Sequence, residues 1–266
     1  ETGTLRRLGY ENLDAIEKFI ADNNLDAEFE RNGAISVANE AYQTEWLGES
    51  DDPNVSALDA EKVRKRINSP TFLGGDYSPH ENANVHPAKL AAELARHAAS
   101  IGVEIYEQTP VTRLDGAADV PIQLTTDRGT IAAERVALCT NVFPSLLKRY
   151  RFHTIPVYDY VLMTEPLTDE QLASIGWEGR EGLSDLANQF HYSRLTKDNR
   201  ILWGGYDAVY HAGGRIKREY EDRMESHRKL ASHFFTTFPQ LAGVKFTHRW
   251  AGVIDSSTRF CAFFGQ

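Results

Sequence analysis

The chain has 266 residues, 41% hydrophobic and 25% charged, so it has enough apolar side chains to bury a sizeable core as one large domain or two smaller ones. A net charge of −9 excludes a phosphate-tracking nucleic-acid binder and disfavours an anionic membrane surface, and no apolar run approaches bilayer-spanning length. The only cysteines are Cys139 and Cys261, which points away from a disulfide framework and toward a reducing compartment, the cytoplasm. There is no signal-peptide core at the start, and the chain opens inside an amphipathic pattern of Leu5, Leu8, Leu13, Ile16, Phe19 and Ile20 without a Met, as an internal fragment would. Residues 27–38 read as two short strands about the turn signal Asn32-Gly33. Residues 40–48 and 57–67 read as helices, and 72–77 as a glycine-bearing strand or loop.

The best-patterned stretch runs from Val85 to Val111. Pro87 suits a first helical turn, and Leu90, Leu94, Ala98 and Ile101 recur at helical spacing up to Gly102, a helix stop. Val103 and Ile105 then alternate with polar residues, predicting a strand that leaves the helix directly, as in α/β sheets. Segments 111–114, 122–126 and 130–133 predict a small meander, and the apolar run 135–140 a buried strand ended by Asn141 and Pro144. Beyond Thr154 the texture becomes aromatic and β-branched. It predicts a long strand through IPVYDYVLMTEPL, a helix over 168–175, and a hairpin of 189–195 with 200–206. A charged helix over 216–237 and closing strands at 248–254 and 260–264 complete the pattern.

Motifs exclude several chemistries. No HExxH or CxxC is present, His227 and His233 are too far apart on their helix to share a face, and there is no GxSxG elbow. Cys139 reads as an inert buried thiol. The pairs Gly74-Gly75, Gly204-Gly205 and Gly213-Gly214 match no phosphate loop. The aromatics Tyr158, Tyr160, Phe190, Tyr192, Trp203, Tyr206, Tyr210 and Trp250 suit either ordinary sheet packing or a pocket for a cationic amine. Tyr192 and Arg194, two apart on one strand, share a face.

Taken in order, six segments resemble one family: FERNGAISVA at 29–38, VHPAKLAAELARHAASIGVEIYEQTPVTRL at 85–114, RVALCTN at 135–141, VLMTEPL at 161–167, YSRLTKDNRILWGGYD at 192–207, and FPQLAGVKFTHRWAGVIDSSTRF at 238–260. The family is the FAD-dependent amine and amino-acid oxidoreductases of the D-amino-acid oxidase type, and within it the γ-glutamylputrescine oxidoreductase-like branch. The resemblance implies a mixed α/β fold, with a partial Rossmann-like FAD-binding domain at 1–26, 81–150 and 246–266. A largely antiparallel substrate-binding sheet with flanking helices would occupy 27–80 and 151–245. It places Val111 near adenine, Cys139, Thr140 and Asn141 near the phosphates, and Trp250 and Gly252 beside the flavin. Tyr158, Tyr160, Tyr192, Arg194 and Trp203 fall on substrate-facing strands, with Tyr192 and Arg194 orienting the substrate. The expected reaction is oxidation of a C–N bond in a small amine, γ-glutamylputrescine or a relative. A glycine- or sarcosine-type amino-acid substrate, or a binding domain without catalysis, are the alternatives.

Three departures qualify these expectations. The family's N-terminal GxGxxG strand and its later glycine-rich segment are absent from these residues, so they supply only part of the FAD site. ILWGGYD has no lysine where the sarcosine-oxidase branch activates oxygen, which leaves the electron acceptor open. Cys261 does not match that branch's flavin-linking cysteine, so FAD is expected to be held non-covalently.

Overall fold

The computed structural model describes residues 2–116, 120–143, 146–147, 152–259 and 261. In chain order they form α1 (Thr2–Asp22), β1 (Ala34–Ala38), β2 (Ser56–Asp59), α2 (Ala60–Arg66), β3 (Gly74–Ser78), α3 (Pro87–Ser100), β4 (Val111–Asp115), β5 (Ile122–Thr126) and β6 (Gly129–Ala133). There follow β7 (Thr154–Thr164), α4 (Asp169–Ile175), β8 (Gly182–Asp185), β9 (His191–Leu195), β10 (Ile201–Gly205), α5 (Met224–Thr237) and β11 (Phe246–Ser257). Local chemistry sets the helix ends. Pro87 starts α3, where the His86 ring accepts the Lys89 amide at 3.3 Å, and Gly102 ends it at φ +95°. Thr168 and Gln171 close a capping box on α4, which stops at left-handed Gly176.

The fold is mixed α/β, dominated by an eight-stranded sheet in the order β11-β7-β10-β9-β8-β1-β3-β2. All its pairings are antiparallel except β1 with β8. β4, β5 and β6 form a separate antiparallel sheet. The core lies between one face of the large sheet and α5. Ile35, Tyr158, Tyr160, Ile201, Leu230 and Phe234 are all fully buried there. Each buried apolar side chain of this size stabilises by about 1.5–3 kcal/mol. The Phe234 ring meets Trp203, Phe238 and Phe246 with centroids 5.8, 5.6 and 5.1 Å away. A smaller cluster of Ile20, Leu25 and Ala27 joins the end of α1 to Leu90 of α3. Among the described residues no helix is long and apolar enough to cross a membrane.

Several expectations change. The strand predicted after Gly102 is irregular and exposed, and residues 135–140 form no strand. Cys139 is accordingly exposed, where a buried thiol was expected. Apolar strands of this kind need neighbours on both edges and cover on both faces, and no described strand pairs with either segment. Residues 81–150 therefore contribute α3 and an antiparallel meander, without a parallel α/β layer among the described residues. Pro144 and most of the predicted strand at 260–264 lie outside the described residues.

Only one of the two strands expected in 27–38 forms, because Glu30 makes a single bridge to Asn84. Residues 41–46 wind as a 3₁₀ turn, and 56–59 pair with β3 before α2 begins. The expected helix over 216–237 is interrupted. The Tyr158 hydroxyl accepts the Lys217 amide at 2.9 Å, and the Tyr160 hydroxyl donates to the Tyr220 carbonyl at 2.8 Å. These tertiary bonds take backbone groups that a helical ladder would have used. The strand β8, unmarked in the sequence, is aligned by its parallel register with β1. Residues 246–257, grouped above with the FAD-binding segments, run as an edge strand along the whole of β7.

Candidate functional site

Strand alternation gives the large sheet two chemically different faces. Register aligns Tyr160 with Ala251 and Leu162 with Trp203 on the helix-covered face. On the opposite face it aligns Val161 with Gly204 and Trp250, Tyr192 with Gly204, Arg194 with Leu202, and Asp159 with Gly252. That second face lines a cleft of about 480 Å³ bounded by Tyr192, Arg194, Trp250 and Val161, with Asn82 and Asn84 from the loop before α3.

Tyr192, Arg194 and Trp250 therefore come together. Trp250 is 38% exposed, and Gly252 follows two residues along the same face. The structure places Tyr158, Tyr160 and Trp203 elsewhere, which corrects the expectation that they face a substrate. They are 0%, 0% and 3% exposed on the helix side. The Tyr158 hydroxyl also donates to the Lys217 carbonyl at 3.2 Å, so both tyrosine hydroxyls are consumed within the core. Tyr158 and Tyr160 stand next to Asp159 and Val161 on β7, and successive residues of a strand face opposite ways; register puts Trp203 beside Leu162 on the same inner face.

Thr140 and Asn141 line a different cleft of about 1080 Å³, together with Pro156, Gly213, Gly214 and Asp255. Val111 pairs with Thr126 in the small sheet and lines neither cleft. Among the described residues no cluster of His, Cys, Asp and Glu is arranged to hold a metal.

Two groupings were missed by sequence reasoning. The first is Asp159, whose carboxylate accepts the Tyr192 hydroxyl. Burial raises the Asp159 pKa, while the Tyr192 hydroxyl and the backbone amides of Tyr160 and Gly205 oppose the rise. Burial, then Asp159, pushes the Tyr192 phenol up, so it stays protonated and donates. Room for the ring comes from Gly204, where a Cβ would lie 2.6 Å from Tyr192 Cζ. A sequence signal existed: Asp159 is the one charged residue in the 11-residue strand TIPVYDYVLMT. Arg194 is half-buried, and burial lowers its pKa against the raising influence of Glu28 and Glu30. Glu30 is itself engaged by Arg180 at 3.3 Å, and Arg194 makes no ion pair among the described residues.

The second grouping lies on the helix side. Asp185 Oδ2 is 2.6 Å from His191 Nδ1, and His191 Nε2 is 2.9 Å from His233 Nδ1. The His191 ring stacks between Trp203 and Tyr206 at 4.9 and 5.0 Å. Nothing in sequence spacing links these three residues; sheet register and α5 packing bring them together.

Comparison with known proteins bears on the family and the fold. The family described as FAD dependent oxidoreductase (DAO) matches residues 1–266. The γ-glutamylputrescine oxidoreductase of Escherichia coli is 28% identical over 94% of this chain and 58% of its own length. A probable oxidoreductase OrdL of Haemophilus influenzae is 25% identical over 98% of this chain and 60% of its own. The chain thus spans about 60% of the length of the curated relatives it matches. Among solved structures, glycine oxidase from Bacillus cereus superposes with a TM-score of 0.79 at 18% identity, over 99% of this chain and 72% of that one. Glycine oxidase from Geobacillus kaustophilus gives 0.76 at 19% identity, over 97% and 68%. At these identities the structures speak for the fold.

Proposed function

Because the chain belongs to the FAD-dependent oxidoreductase family, whose match spans all its residues, we propose that it forms the substrate-binding part of a flavoenzyme oxidising a C–N bond in a small amine. The observation that carries this reading is the shared face of Tyr192, Arg194, Trp250 and Gly252. The residues present fit the ring end of FAD. Gly252 has nothing within 4 Å of where a Cβ would stand, so it leaves a low, side-chain-poor platform beside half-exposed Trp250. Such a platform suits a planar aromatic group. Thr140 and Asn141, in the larger cleft, are the residues proposed for the phosphate half. The rest of that half requires glycine-rich backbone that these residues do not contain.

When bound, FAD supplies the uptake of a hydride from the carbon attached to nitrogen, leaving an imine that water hydrolyses. The chain's own contribution is positioning. Arg194, half-buried with no ion pair among the described residues, offers a guanidinium fork to a carboxylate or carbonyl. Tyr192 stands two residues away on the same face to fix the amine end. Trp250 closes one wall against water. A γ-glutamyl amine, with a carboxylate distant from the oxidised nitrogen, uses both ends, and the similarity to a γ-glutamylputrescine oxidoreductase favours that class. A simple amino acid is the second reading, favoured by the superposition on glycine oxidases. A cytoplasmic location belongs to the same proposal and rests on the two free, exposed cysteines.

The test is an absorption spectrum of the intact protein, followed by anaerobic titration with γ-glutamylputrescine, glycine and sarcosine. Bleaching by the first alone supports the leading substrate. A folded protein that takes up no FAD rules out the oxidoreductase reading.

A further inference from the structure

Resting on that reading, one residue outside the expected set assigns the polarity of the cleft. We infer that Asp159, by accepting the Tyr192 hydroxyl, turns Tyr192 into the acceptor pole of the cleft opposite the Arg194 donor pole, so that the site selects a cationic amine that also carries a carboxylate. The argument is one of hydrogen-bond inventory. A phenol has a single hydrogen and further acceptor capacity. Tyr192 gives that hydrogen to Asp159, so what remains for a ligand is acceptor capacity alone. An ammonium group satisfies an acceptor; a carboxylate does not. Arg194, by contrast, has only donors, with no ion pair among the described residues. The two residues are separated by one residue on a single strand, which spaces their Cα atoms by about 7 Å. A ligand that satisfies both residues carries an ammonium and a carboxylate on one molecule.

Asp159 touches the ligand only through Tyr192 and is a positioning residue. Its surroundings isolate it. β9 brings Tyr192, β10 brings Gly204 and Gly205, and β11 brings Gly252. Burial accounts for its raised pKa, and the Tyr192 hydroxyl and the Tyr160 and Gly205 amides oppose the rise.

The experiment is calorimetric binding to the intact protein of three probes: 4-aminobutanoate, butylamine and butanoate. It needs no turnover. Asp159→Leu is expected to weaken butylamine and 4-aminobutanoate about tenfold while leaving butanoate unchanged within about twofold. Asp159→Asn, which keeps an acceptor for the phenol, restores amine binding. Arg194→Met shows the reverse selectivity. Where Asp159→Leu does not fold, Tyr192→Phe removes the same acceptor with the same expected loss. Equal losses for all three probes, an unaltered butylamine affinity, or a wild type that binds none of them overturns the inference. Flavin bleaching with no effect of Asp159→Leu on probe binding overturns this inference alone. The probe pattern in a protein that no amine bleaches overturns only the oxidoreductase reading.

Discussion

Replacing Gly204 by alanine tests the cleft with a single methyl group. Gly204 does not need positive φ, so alanine introduces no backbone strain there. What it introduces is a carbon 2.6 Å from Tyr192 Cζ and 2.7 Å from the Tyr192 hydroxyl oxygen. Ordinary carbon contacts are about 3.5–4.0 Å, so the ring must retreat by roughly 1 Å. The bond to Asp159 breaks, leaving a half-buried carboxylate without its partner. Losing such a bond costs about 1.5–3 kcal/mol, and alanine's better strand entropy returns about 0.5–1 kcal/mol. A net destabilisation of about 1–2 kcal/mol corresponds to a fall in Tm of several degrees for a chain of this size.

The pH dependence identifies the cause. Burial holds the Asp159 pKa above its unfolded value of 3.8, and Tyr192 opposes that rise. A carboxyl whose folded pKa is raised costs stability above that pKa, and the cost disappears below the unfolded one. Removing Tyr192 raises the pKa further, so the Gly204→Ala deficit is largest near neutrality and shrinks toward acid. Thermal melts at about pH 7 and about pH 4 read this directly. An unchanged Tm, or a deficit equal at both values, refutes the coupling of Gly204, Tyr192 and Asp159.

Three further outcomes are expected. Tyr160→Phe leaves the Tyr220 carbonyl without its 2.8 Å donor and costs about 0.5–1.5 kcal/mol, yet leaves amine KM unchanged because Tyr160 faces the helix; a raised KM with intact stability would return Tyr160 to the substrate side. Phe234→Ala empties the centre of the aromatic core and costs about 3–5 kcal/mol in denaturant unfolding, and a midpoint like the wild type's contradicts the described packing. Burial holds the His227 pKa below its unfolded value of 6.5, so its neutral form is favoured by folding. Stability from this source is complete above that pH and declines as pH falls through it. His227→Gln flattens the decline between about pH 7.5 and about pH 5.5, measured by denaturant midpoints; a parallel curve points to another group.

Periodicity in the chain was enough for much of the fold. Thr168, Gln171 and Gly176 announce α4, Pro87 and Gly102 bracket α3, and Asn199 at φ +62° turns the hairpin of β9 and β10, all through interactions spanning a few residues. The pairing of Tyr192 with Arg194 was legible for the same reason, since two residues on one strand share a face wherever the strand lies. Which face was not legible. Tyr158, Tyr160 and Trp203 carry the same aromatic signature as Tyr192, and only register between β7, β10 and β9, with α5 covering one side, sends them inward. The strands read at 103–106 and 135–140 failed on the same ground, because a strand is completed by its neighbours and those segments have none among the described residues. Asp159 shows the limit most directly. Its isolation in an apolar strand was visible in the chain, but its partner lies 33 residues away, and tertiary contact alone makes that carboxylate a director of Tyr192.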